Sequence, residues 1–337
     1  MAEKEVLIQV HNLSVEYKTR LGQVSAVDDV SFDIFKGEIL GLVGESGCGK
    51  STMGKALMRM IQPPGKITGG KIIFEGEDIM TYDENRMRDF RGRKVSMIFQ
   101  DPMTSLNPVQ RVDEHVVEAI QVHEPKTKTE EALSRAGKLI KKLGIQKRRM
   151  DNYPHQLSGG MRQRVMVGLG LVLNADLIVA DEATTSLDVI VEAKLADQLR
   201  QIREDFGVSL LVITHNIALV AEISDRIVVM YAGHVMEIAD VEPLFDDPLH
   251  PYTKGLLKSI PNIQLDDTEE LYKMPGEPPN LTHPPTGCRF HPRCPYRMPV
   301  CVNHEPPLAE VSPGRHVKCW LYIDHPEKES ETIKVEA

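Results

Sequence analysis

"ILGLVGESGCGKSTMGKALMRM", residues 39–60, is the stretch on which the fold turns. It opens as a short, continuously apolar run rich in branched residues, the pattern of a strand buried on both faces. Glycines then break the run, and "MGKALMRM" reads as a helix. Strand, glycine-rich loop and helix in that order are the setting of a phosphate-binding loop, and Gly44, Gly49, Lys50 and Ser51 satisfy its G-x-x-x-x-G-K-[ST] spacing. The glycines let the backbone curl so that successive N–H groups face phosphate oxygens, and the following helix adds its positive N-terminal end. Gly44, Ser46, Gly47, Cys48, Gly49, Lys50, Ser51 and Thr52 are therefore the expected ATP cradle. Lys50 is expected to reach the β and γ phosphates and Ser51 to hold Mg²⁺. Cys48 reads as a small residue tolerated there with its side chain turned away.

Further along, "DLIVADE" (residues 176–182) reads as a second buried parallel strand ending in two acids. Behind a phosphate loop these are a metal acid, Asp181, acting through water, and a water-polarising acid, Glu182. "LSGGMRQR" (157–164) is a polar, two-glycine entry to an apolar helix, with Ser158 as N-cap and bare N–H groups beside Gly159 and Gly160. One nucleotide cannot use two such loops of a single domain unless the loops converge. N-terminal to the phosphate loop, residues 6–35 alternate apolar and polar positions and read as two or three antiparallel strands. Between residues 100 and 157, "DEHVVEAIQVHE" and "TEEALSRAGKLIKKLGI" have helical periodicity. The basic run "KKLGIQKRR" (141–149) reads as a solvated helix face and turn.

Over about residues 5–245 the chain resembles the ATP-binding cassette family. The resemblance implies a P-loop NTPase, a RecA-like α/β core on a parallel sheet, with an antiparallel β subdomain and an inserted helical subdomain at about 101–157. It also resolves the puzzle of the two loops: in this family the signature loop, here Ser158, Gly159, Gly160 and Gln163, serves the nucleotide held by a partner, so the site is completed in a dimer. By the same resemblance Tyr17 matches the aromatic that stacks on adenine, and Gln100 in "MIFQDP" the glutamine that joins Mg²⁺ to the transporter interface. Asp188 in "SLD" matches the dimer-interface aspartate, and His215 in "LVITHN" the switch histidine that contacts the γ-phosphate. Ala183 stands where relatives often carry proline. "DPMTSLNP" (101–108) resembles the version found in peptide importers.

After residue 240 prolines crowd in, and "DPLHPYTKGLLKSIP" (247–261) reads as a short helix framed by turns. Beyond it lie Cys288, Cys294, Cys301 and Cys319, in a C-x5-C-x6-C-x17-C arrangement. No export signal is visible in "MAEKEVLIQV", so a reducing compartment is expected and structural disulfides are disfavoured. Zinc normally takes closer cysteine pairs. An iron–sulfur cluster suits the wider gaps, and Cys294 is followed by proline as in some ferredoxin ligands. Three readings stay open on spacing alone: a cluster, which the gaps favour, zinc, and free thiols. Residues 246–337 resemble the C-terminal extension of the oligopeptide and dipeptide importer ATPases, and that resemblance implies a [4Fe-4S] cluster. A region so rich in proline and poor in apolar residues is expected to be small and irregular, with the metal centre in place of a core.

A chain of 337 residues accommodates about two domains, and 41% apolar with 26% charged residues is ordinary for a globular protein. A formal charge of −9 gives nucleic acid no broad basic surface. No run of about 18 apolar residues is present to cross a bilayer, so any membrane role is expected to be peripheral, at the cytoplasmic face. The expected function is the energy-coupling ATPase of a peptide importer. Its expected partners are a second ATPase subunit, a similar chain or a copy of itself, membrane permease subunits and, indirectly, a substrate-binding protein. The competing readings are a soluble ATP-driven clamp on nucleic acid and an iron–sulfur sensor with a vestigial ATPase. Charge, the single cassette and the lack of a coiled coil argue against the first, and the presence of Lys50, Asp181, Glu182 and His215 against the second.

Overall fold

The computed structural model describes residues 4–99, 106–182, 189–259 and 274–324. Gln100 and Asp188, both expected site residues, lie outside the described residues. Two sheets organise the chain. The first is antiparallel and four-stranded, in the order β2–β1–β4–β5, from β1 (Val6–Thr19), β2 (Gly22–Phe35), β4 (Gly65–Phe74) and β5 (Glu77–Asp78). The N-terminal alternation thus becomes one long hairpin, β1 with β2, to which β4 is added. Leu7, Val10, Leu13, Val15, Val27, Val30 and Ile34 are all buried, each with at most 1% of its surface exposed.

The second sheet is mixed, in the order β11–β12–β10–β9–β3–β8–β7–β6. Its parallel centre is β3 (Ile39–Val43) with β9 (Arg226–Tyr231) on one side and β8 (Ser209–Ile213), β7 (Leu177–Asp181) and β6 (Val95–Ile98) on the other. Every residue of β3, β7 and β8 is buried, which is why these strands read as unbroken apolar runs rather than alternating ones. β10 (His234–Asp240) returns antiparallel to β9. The helix Lys50–Leu57 and the β1–β2 face share one core with β3, and the helices Val112–His123, Thr129–Lys142 and Gly159–Leu171 share another with β7 and β8.

The region after residue 246 is less irregular than its composition suggests. It holds the helix Pro251–Lys258 and a hairpin, β11 (Ala309–Ser312) and β12 (Arg315–Val317), and β12 pairs with β10 at the edge of the main sheet. Nor does it stand apart from the cassette core: Tyr252, Phe290, Val300 and Trp320 pack with Tyr231 and Met236 of the sheet.

Candidate functional site: a nucleotide cradle at the carboxyl ends of four parallel strands

The parallel register puts the expected site residues on one edge. Leu42 and Asp181 both stand opposite Ile213, and Ile98 opposite Ala180. The carboxyl ends of β3, β8, β7 and β6 therefore lie side by side, where open α/β sheets bind ligands. Residues 44–49 form the first of these loops. Gly44 (φ 152°) and Gly49 (φ 108°) take backbone conformations closed to most side chains, and each lies against a carbonyl. A Cβ at Gly44 would come within 2.1 Å of the Met230 oxygen and one at Gly49 within 2.1 Å of the Ala26 oxygen. The motif's first and last glycines are thus demanded by packing as well as by curvature.

Lys50 is almost fully buried, and its ammonium is held at the loop by the carbonyls of Gly44 (2.9 Å) and Glu45 (3.0 Å). Cys48 is buried in the core behind the loop, its Sγ 3.9 Å from the Lys50 Nζ, and burial pushes its thiol up. At the next residue after Lys50, the Ser51 hydroxyl donates to Asp181 Oδ1 at 2.7 Å. This brings together two oxygen ligands suited to a hard divalent cation. Burial raises the Asp181 carboxyl above the usual range, with the Ser51 hydrogen bond opposing it.

Glu182 directly follows β7 and is left-handed (φ 44°), its N–H fixed by the Ile213 carbonyl at 2.8 Å. Its Oε1 lies 3.9 Å from Nδ1 of His215, which leaves β8 half exposed. Tyr17 stands across from Val24 on the β1–β2 hairpin and packs over Gly65, where a Cβ would meet the ring at 2.4 Å. Two residues along β2 from Val24 lies Ala26, whose carbonyl backs Gly49. The signature segment caps the helix Gly159–Leu171: the Ser158 Oγ accepts the Met161 N–H at 3.4 Å, and Gln163 is buried. Gly159 and Gly160 have open space where a Cβ would stand, so nothing among the described residues requires glycine at either position.

Cys288, Cys294, Cys301 and Cys319 line a single small cavity together with His250, Phe290 and Trp320. Burial pushes the Cys288 thiol up to about 11 and the Cys319 thiol up to about 12, and the neighbouring cysteines add to both. Among the described residues, no three or more His, Cys, Asp or Glu side chains form a group that could hold a metal ion, so the geometry supports neither the expected [4Fe-4S] cluster nor the zinc alternative. The cavity gathers the four thiols, with His250 and His291 also in its lining; four thiols are the donors an iron–sulfur cluster takes.

Sequence reasoning missed the residues that join this region to the phosphate loop: Glu237, His250, Tyr252, Arg289 and Arg293. The Glu237 carboxylate, fully buried, accepts the N–H groups of Leu249 (2.8 Å) and His250 (2.9 Å) and so fixes the turn into the helix Pro251–Lys258. His250 Nδ1 accepts the Tyr252 N–H at 3.0 Å, which puts the ring proton on Nε2, and burial pulls its pKa down to about 3. A buried acid opposite a turn 12 residues on leaves no periodic signal in a sequence.

Residues 27–185 match the ABC transporter family and residues 236–301 match the family described as "Oligopeptide/dipeptide transporter, C-terminal region". The chain is 43% identical to the oligopeptide transport ATP-binding protein OppD of Bacillus subtilis, over 95% of this chain and 90% of that one. It is 42% identical to the dipeptide transport ATP-binding protein DppD of the same organism, over 94% and 95%. Among solved structures, a dimeric post-hydrolysis state of the ATP-binding cassette MJ0796 bound to ADP and Pi matches with a TM-score of 0.62 at 27% identity, covering 70% of this chain and 99% of that one.

Proposed function

This chain belongs to the ATP-binding cassette transporter family, and from that premise we propose that it is the energy-coupling ATPase subunit of a peptide importer, peripheral on the cytoplasmic face of the cell membrane. The observation that carries the peptide assignment is the likeness to oligopeptide and dipeptide transport ATP-binding proteins over nearly the whole chain, C-terminal region included.

The loop at 44–52 cradles the phosphates of ATP. Lys50 turns from its loop carbonyls to the β and γ phosphates, and Ser51 and Gln100 would hold Mg²⁺, with Asp181 reaching it through water. Glu182 orients and polarises the attacking water, and His215, 3.9 Å from it, contacts the γ-phosphate and holds that acid in place. Catalysis in such a site is mostly positioning and charge stabilisation. Tyr17 stacks on the adenine.

The signature segment serves a second subunit. Glycine costs a helix up to about 1 kcal/mol relative to alanine, and Gly159 and Gly160 begin a helix with none of the described residues within 4 Å of where a Cβ would stand. The requirement comes from outside: Ser158, Gly159, Gly160 and Gln163 approach the nucleotide of a partner ATPase, and Asp188 faces the same interface. The partner is a similar chain, with a copy of itself as the alternative. Closing and opening of this dimer drives the permease, docked on the helical part at about 101–157, while a substrate-binding protein supplies the peptide. The cassette spans residues 1–245 and the extension 246–337.

Cys288, Cys294, Cys301 and Cys319 fit a [4Fe-4S] cluster, which supplies a structural crosslink when bound. What supports this is four thiols around one cavity in a region whose own apolar residues are shared with the cassette. Iron analysis and a visible spectrum of anaerobically purified protein test it: about four irons per chain are expected, and colourless protein containing one zinc ion overturns it. The importer reading is tested by reconstituting the chain with permease and partner ATPase. Peptide-loaded binding protein should stimulate ATP hydrolysis, and hydrolysis stimulated by DNA without permease association would instead favour a nucleic-acid clamp.

A further inference from the structure

The seven residues from Cys288 to Cys294 carry two arginines, and both lead to the phosphate loop. Arg293, its guanidinium 6% exposed, grips the Glu45 carboxylate with both terminal nitrogens, Nη1 to Oε2 at 2.9 Å and Nη2 to Oε1 at 3.1 Å. Its Nε donates to the Pro275 carbonyl at 2.9 Å, and Nη1 also meets the Tyr231 hydroxyl at 3.2 Å. Glu45 is the second residue of the loop, and its carbonyl is one of the two that receive Lys50. Its N–H donates to the hydroxyl of Tyr252, a fully buried ring from the extension's helix. Arg289 acts one step removed: it donates to the Ala232 carbonyl and pairs with Asp28, while the adjacent Gly233 N–H donates to the Cys48 carbonyl at 2.9 Å. Phe290, between the arginines, packs on Tyr231 and Tyr252 with ring centroids 5.3 and 5.5 Å away.

These contacts do two things to the nucleotide site. They fix the backbone of the loop's first turn, whose N–H groups must be aimed before phosphate arrives. They also neutralise a carboxylate that would otherwise face a polyanion. Both contacts cross from the extension to a loop 248 and 207 residues distant.

We propose that Arg293 and Tyr252 are positioning residues of the phosphate loop, and that through them the integrity of the four-cysteine cavity sets nucleotide affinity. This rests on the reading of residues 44–52 as the nucleotide cradle. Coupling between two sites is reciprocal, so nucleotide must also tighten the cysteine cavity.

The test uses the full chain and fluorescent mant-ADP with Mg²⁺. Arg293→Gln is expected to weaken binding about tenfold, the size of a coupled, partly buried charge pair. Arg293→Lys should recover part of that loss. The double variant Arg293→Gln with Glu45→Gln should recover only the part due to the uncompensated charge and keep the part due to the unanchored loop. Tyr252→Phe, which keeps the packing and removes one acceptor, is expected to weaken binding about fivefold. The reciprocal measurement is the rate at which iodoacetamide alkylates Cys288, Cys294, Cys301 and Cys319 in metal-free protein. Mg-ADP should slow it in the wild type and leave it unchanged in Arg293→Gln. Affinities of Arg293→Gln and Tyr252→Phe within twofold of wild type, or a double variant that binds as tightly as wild type, overturn the proposal. Wild-type protein that binds no mant-ADP at all overturns instead the nucleotide reading on which it stands. The alkylation arm reads the thiols themselves, so its outcome does not depend on whether iron is found.

Discussion

Glu182 illustrates how a single position can hold both strain and chemistry. Its left-handed backbone is unusual for a residue with a side chain, and it persists because the Ile213 carbonyl holds the N–H and the all-buried strands behind it cannot shift. The carboxylate is thereby aimed out of the strand end toward His215 rather than along the sheet. Glu182→Gln keeps the shape and removes the base, so ATP binding should persist while hydrolysis falls about 10²–10⁴-fold. A single-turnover phosphate-release assay beside a nucleotide titration separates the two, and equal losses in both would mean that Glu182 shapes the cradle instead. Glu237 poses the opposite case, a buried acid far from the chemistry. Both of its oxygens accept backbone N–H groups, and a glutamine can offer only one acceptor while turning an NH₂ toward the other donor. Glu237→Gln should cost about 1–3 kcal/mol of stability by denaturant unfolding. Unchanged stability would show that burial of the charge, which raises this carboxyl's pKa, cancels the worth of the bonds.

At the scale of elements, the helix Gly159–Leu171 separates what serves the fold from what serves assembly. Its cap, Ser158, is a local stabiliser, whereas its first two glycines are a liability for the isolated chain. Gly160→Ala should therefore raise the stability of the isolated chain by roughly 0.5–1 kcal/mol and still lower ATPase activity in the assembled complex at least tenfold. Thermal unfolding of the subunit and hydrolysis by the complex check the two halves; a stabilised subunit with full activity would remove the argument for a partner nucleotide at this helix. The same contrast explains what a sequence discloses. The phosphate loop, the strand ending in Asp181 and Glu182 and the signature cap were legible because each is a local pattern of a few residues whose geometry is set by its neighbours. The buried strands were legible as apolar runs. The hairpin β11–β12 was not, since its residues are mostly exposed or half-buried and it exists by adding to β10 rather than by its own alternation. Arg293 and Tyr252 were silent for the same reason: an arginine in a proline-rich segment and a tyrosine in a short helix acquire meaning from a loop more than 200 residues away.

For the whole molecule, the question is what keeps a proline-rich extension pressed against a cassette with a complete core of its own. Its apolar side chains Tyr252, Phe290, Val300 and Trp320 meet Tyr231 and Met236 of the sheet in one cluster, and its chain is tied by backbone bonds such as Lys318 N–H to Met236 (2.9 Å) and Cys288 N–H to Cys301 (2.8 Å) and by the side-chain bond from Trp320 Nε1–H to the His304 carbonyl (3.0 Å). Residues 287–304 and 318–320 also face each other across the cavity that the four cysteines share. A metal centre there would act as a crosslink across a loop, whereas its loss would leave two thiols that burial keeps protonated and no covalent restraint. Removing a structural metal ranks among the largest single-site effects, above about 4 kcal/mol, and for a unit of this size that corresponds to a drop of roughly 10 °C or more in the melting transition. Iron removal by a chelator, or Cys301→Ser, should accordingly expose the extension to trypsin first, with cuts after Arg289, Arg293 or Arg297, while the cassette survives as a large fragment. Because the phosphate loop leans on the same segment through Glu45, the surviving cassette should bind nucleotide more weakly than the intact chain does. Cleavage beginning within the cassette, or an extension equally resistant with and without metal, would locate the clamp in the aromatic cluster and the β10–β12 pairing rather than in the cysteines.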